Sequence, residues 1–74
     1  MTKQEFIDTI VNNHRTGHWL NATFDVEGRK IGVKAYGKWI QRLEHNGRSD
    51  GTVEARTVKA FRSDVEELYE GIIR

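Results

Sequence analysis

Cysteine and proline are both absent from this chain of 74 residues. Without cysteine no disulfide can staple the fold, which fits a reducing compartment such as cytoplasm. No apolar stretch approaches the roughly 18 residues needed to cross a membrane. Met1 to Thr9 also lacks the basic-then-apolar pattern of a secretion signal. The expectation is a protein that stays in the cytoplasm where it is made, with no membrane partner. An excess of charge of one sign is missing too: 12 Lys and Arg face 11 Asp and Glu, for a formal net charge of +1. That balance argues against a domain dominated by phosphate contacts, whose pI usually exceeds about 9, and equally against an acidic mimic of DNA.

The length predicts a single domain over residues 1–74, near the lower limit for folding without a covalent or metal staple. A chain this short builds only a shallow core, and a deep substrate pocket would remove part of it. Size alone therefore favours a binding module over an enzyme.

What is present reads as a sequence of short elements. Thr2 and Glu5 have the spacing of a capping box. Phe6, Ile7, Ile10 and Val11 follow as one apolar stripe, so a helix is predicted over Lys3 to Arg15. From Trp19 the period becomes two. Leu20, Ala22, Phe24 and Val26 alternate with Asn21, Thr23 and Asp25, then Glu27-Gly28-Arg29 turns the chain, and Ile31, Val33 and Ala35 alternate with Lys30, Gly32, Lys34 and Tyr36. A third strand is predicted over Trp39 to His45 with Trp39, Gln41 and Leu43 facing inward, because the opposite phase would bury Arg42. The segment from Asn46-Gly47 to Asp50-Gly51 is dense in turn formers and reads as a loop. A last helix, starting at Val53 or Thr57 and ending at Ile72, carries Val58, Phe61, Val65, Leu68 and Ile72 as its apolar stripe. The fold class expected is α+β: αβββα, a three-stranded antiparallel sheet with both helices packed on one face.

Sites for chemistry are scarce. His14 and His18 are four apart, but Gly17 ends the helix between them and no third ligand accompanies them, so no metal site is expected. Ser49 and Ser63 are the only serines, and neither has the Gly-x-Ser-x-Gly setting of an exposed nucleophile. The acidic run Asp64, Glu66, Glu67 and Glu70 reads as a solvated helix face. No catalytic residue and no cofactor are expected.

The uncovered sheet face is the sharper feature. Alternation places Trp19, Lys30, Lys34, Tyr36, Lys38 and Arg42 there, aromatic and basic side chains of the kind enriched in binding hot spots. These six are the candidate partner-binding residues. The last helix is basic in its first half (Arg56, Lys59, Arg62) and acidic in its second, opposite to the preference of the helix dipole. A pair such as Arg62 with Glu66 would recover part of that cost. Arg56, Lys59 and Arg62, with Arg29 and Lys30 of the strand turn, form an alternative set that could contact nucleic acid.

Two resemblances follow. The order αβββα is similar to that of the double-stranded RNA-binding domain, and Glu27-Gly28-Arg29-Lys30 and Arg56-x-x-Lys59 sit where that family contacts RNA. The family's Gly-Pro-x-His loop and its Lys-Lys-x-Ala-Lys run have no counterpart, so the overlap is one of topology and implies nucleic-acid binding as the alternative. A short, cysteine-free chain whose middle reads Gly32-Val-Lys-Ala-Tyr-Gly-Lys-Trp-Ile-Gln-Arg-Leu43 also looks like the small accessory proteins of bacteriophages and prophages, anti-CRISPR proteins among them. That resemblance implies a stoichiometric inhibitor that occupies a surface of a host protein or ribonucleoprotein complex. A homodimer through the uncovered sheet face is a further expectation.

Overall fold

The first helix is fixed by its cap. In the computed structural model the Glu5 amide donates to Thr2 Oγ1 at 3.1 Å, and the Thr2 amide donates to the Glu5 carboxylate at 3.0 Å. These reciprocal bonds satisfy two of the donors that a helix start leaves open. Helix α1 then spans Lys3–Arg15, the extent predicted, and buries Phe6, Ile7, Ile10 and Val11. The structure describes residues 1–17, 19–35, 40–49 and 51–74. Among them no helix is long and apolar enough to cross a membrane.

Strands β1 (Leu20–Val26) and β2 (Arg29–Ala35) pair antiparallel through a two-residue turn. Glu27 and Gly28 both take positive φ, +51° and +82°, the pattern of a type I′ turn whose twist matches the strands it joins. Glu27 is the residue that bears the strain, since it has a Cβ. The backbone of Met1 braces the turn, accepting a bond from the Glu27 amide at 2.9 Å while its ammonium donates to the Asp25 carbonyl at 3.0 Å. Strand β3 (Ile40–His45) pairs antiparallel with β2. Its phase is the one expected: Gln41 and Leu43 are buried, with Arg42 and Glu44 on the other face. Trp39, which was expected to share the inward face, lies outside the described residues.

Among the described residues the sheet has four strands, not three. Strand β4 (Thr52–Glu54) pairs with β3 and completes the order β1-β2-β3-β4. Asn46 and Gly47, at φ +53° and +77°, form a second type I′ turn, closed by mutual 2.9 Å bonds between His45 and Arg48. The predicted loop, of which Asp50 lies outside the described residues, is thus the connection of a hairpin. Val53, one of two expected starts for the last helix, sits instead in β4 with its side chain buried.

Helix α2 spans Val58–Ile72. Thr57 caps it, its hydroxyl accepting from the Ala60 amide at 3.2 Å. Phe61, Val65, Leu68 and Ile72 are buried as expected, together with Tyr69. Val58, in the first turn of α2, leaves the stripe: it is 40% exposed. The two helices lie antiparallel on one face, α1 over β1 and α2 over β3 and β4. Lys3 of α1 bridges Glu66 and Glu70 of α2, and Asp8 accepts from Arg62. Arg62 therefore pairs across the helix interface, not with Glu66 along its own helix.

Candidate partner-binding face

The sheet face away from the helices is built by register. Asn21, Lys34, Arg42 and Thr52 are successive Cα partners and form one row across all four strands. Thr23, Gly32 and Glu44 form the next row, and Asp25 with Lys30 the one after that. Period-two alternation puts these side chains outside because Ile31, Val33, Leu43 and Val53 fill the core.

Trp19 stands at the end of this face, just before β1, and is 73% exposed. With Leu20, Asn21, Lys34 and Ala35 it lines a shallow depression of about 360 Å³. Of the predicted set, the structure brings together Trp19, Lys34 and Arg42. Lys30 is on the same face but four residues further along β2, roughly 13 Å away at about 3.3 Å per residue. Tyr36 and Lys38 lie outside the described residues.

The face is less cationic than the sequence count suggested. Glu44 stands beside both Arg42 (3.2 Å) and Lys34 (3.9 Å). Arg42 also donates to Ser49 Oγ at 3.3 Å, which aims its guanidinium along the face. Lys30 is directly opposite Asp25 across the β1–β2 pair. Each cation in the described part of the face has a carboxylate neighbour. These carboxylates were legible at the same alternating positions as the lysines.

The alternative basic set is split. Arg29 and Lys30 begin β2 at the turn end of the sheet, whereas Arg56 and Lys59 flank the start of α2 at the opposite end. Six residues of β2 separate the two ends, roughly 20 Å. Arg62 is held by Asp8.

A second depression, of about 440 Å³, lies between β4 and α2 and is lined by Glu54, Asp64 and Glu67 with Val53 and Leu68. The acidic run of α2 therefore divides: Glu66 and Glu70 hold Lys3, while Asp64 and Glu67 face this groove. Among the described residues no three His, Asp or Glu side chains are grouped as metal ligands would be.

No family model matches the chain, and neither the curated proteins nor the solved structures contain a match to it.

Proposed function

We propose that this is a non-catalytic binding protein that acts by occupying a surface of a partner protein through the sheet face around Trp19, Lys34 and Arg42. One observation carries the reading: a tryptophan 73% exposed at the rim of a depression, beside a lysine. Tryptophan is among the residues most enriched in interface hot spots. The internal charge pairing of the face supports a protein partner over a phosphate backbone, which draws on unanswered cations. The likeness to phage and prophage accessory proteins supports a host complex as the partner and inhibition as the outcome, in the manner of an anti-CRISPR protein.

The test is capture from nuclease-treated bacterial lysate with tagged wild-type protein, Trp19→Ala and Lys59→Ala in parallel. A retained protein complex should lose affinity with Trp19→Ala by at least about 2 kcal/mol, roughly 30-fold, and be unaffected by Lys59→Ala. Capture of nucleic acid alone, weakened by Lys59→Ala and by moderate salt, would replace this reading with the nucleic-acid alternative. Exposed Arg56 and Lys59, on the same end of the molecule as Trp19, are the residues that would then carry it.

A further inference from the structure

The two edges of the sheet are unlike. β4 is three residues long, a short edge of the kind that resists pairing with other chains. β1 is seven residues long, contains neither proline nor lysine, and carries a single charge, Asp25. Its outward backbone groups can be assigned. Val26 and Arg29 flank a two-residue turn, so they form a hydrogen-bonded pair, and such pairs alternate along an antiparallel ladder. Leu20, Ala22, Phe24 and Val26 thus bond to β2, and the N–H and C=O groups of Asn21, Thr23 and Asp25 point outward. Met1 agrees with this assignment, because its ammonium meets the Asp25 carbonyl and its carbonyl meets the Glu27 amide on that same edge. Met1 thereby covers the turn end of the edge and leaves the Asn21 and Thr23 groups facing out, with no strand beyond them among the described residues.

We propose that this edge pairs with the same edge of a second copy, the two β1 strands running antiparallel about a two-fold axis at Ala22. In that register Asn21 faces Thr23 of the second copy. Four backbone hydrogen bonds form, two unique and two by symmetry, and they use every outward group of both residues. The side chains agree with the backbone. Ala22 meets its own copy at the closest-approaching type of pair, about 4.5 Å between Cα atoms, where a small residue fits. On the helix-covered face Leu20 comes opposite Phe24, and both are only half-buried in the single chain. On the open face the polar Asn21 and Thr23 adjoin. Moving the axis to Thr23 would drive the second strand into Met1, and moving it to Asn21 would set Leu20 against Ala22 and leave Phe24 without its apolar partner. Ile31, Val33 and Ala35 of β2 are buried while Leu20, Ala22 and Phe24 of β1 are only half-buried, so the cover given by α1 thins toward this edge. The product is one eight-stranded sheet whose open faces join into a single two-fold surface. This pairing uses the strand edge, not the open face expected to bury itself, and does not depend on the proposed partner.

Sedimentation equilibrium of the purified chain at micromolar concentration should give twice the 8.6 kDa mass. Thr23→Pro removes an outward N–H that the single chain does not use, a position where an edge strand tolerates proline. It should leave the far-ultraviolet circular dichroism unchanged and give a monomer. Ala22→Cys places two thiols at a Cα separation within the disulfide range of about 4.4–6.8 Å, and should cross-link on mild oxidation far faster than Lys59→Cys. A monomeric wild type, or a Thr23→Pro variant that is folded and still dimeric, would overturn the proposal. Should Thr23→Pro fail to fold, equal cross-linking rates for the two cysteine variants would overturn it instead.

Discussion

Gln41 is the residue at which the interior departs from an apolar core. It is fully buried, its amide nitrogen donates to the Arg42 carbonyl at 2.8 Å and, at a longer 3.5 Å, to that of Lys34, and its Oε1 has no partner among the described residues. A buried acceptor without a donor costs about 1–3 kcal/mol. Gln41→Met keeps the volume and removes the orphan oxygen, so it should be within about 1 kcal/mol of wild type or more stable, read from the urea midpoint. A loss beyond that range would mean that the amide is needed as a strut between β2 and β3. Sequence placed Gln41 inward by choosing the phase that kept Arg42 out, and that elimination worked because an unpaired buried guanidinium costs far more than a buried amide. Tyr69 was missed. It stands next to Leu68 and was left out of the apolar stripe, yet its ring packs at 5.7 Å from Phe6 and burial pushes its phenol up, with the Arg29 charge opposing.

At the scale of elements, α1 was legible to the residue because cap, stripe and stop all agree locally. β4 was not. Between the His45–Arg48 bridge and the Arg42–Thr52 pair the returning strand uses one residue more than β3, which breaks the alternation that would have revealed it. The Asn46-Gly47 dipeptide was the available signal, since it is the strongest short-range hairpin cue. The cap of α1 and the α1–α2 contact together set the pH response. The amide of Thr2 holds Glu5 below the usual carboxylate range, the Arg62 guanidinium does the same for Asp8, and the Lys3 ammonium for Glu70. Groups depressed in the folded state stabilise it above their unfolded pKa, about 4. That stability is lost as pH falls through the folded values. Lys3 is raised, chiefly by Glu70, so its contribution is present below about 10.4 and lost as pH rises through the folded value. A plateau between roughly pH 5 and 10 is expected in urea midpoints. Asp8→Asn with Glu70→Gln should lower the plateau and flatten its acid limb; an unchanged acid limb would place the responsible carboxylates elsewhere.

For the molecule as a whole, the candidate face was legible as a set of positions but not as an electrostatic surface. Strand alternation gives the residues on a face, whereas the neighbours of a charge depend on register, and register awaited the turns. Hence Lys34 and Arg42 were foreseen as exposed cations and Glu44 between them was not weighed. The reversed charge order of α2 was visible from the start, with no acidic residue in its first turn and no basic one in its last. Its resolution lies in the antiparallel neighbour, where Lys3 meets the acidic end and Asp8 meets Arg62. The same charges oppose the dipole when α2 is alone. A peptide of residues 56–74 should therefore be nearly unstructured by circular dichroism, and less helical than a peptide of the same composition with the charges exchanged end for end. In folding terms α2 is then expected to form late, as α1 and the hairpin become available to dock against, so substitutions in it should speed unfolding and leave the folding rate nearly unchanged.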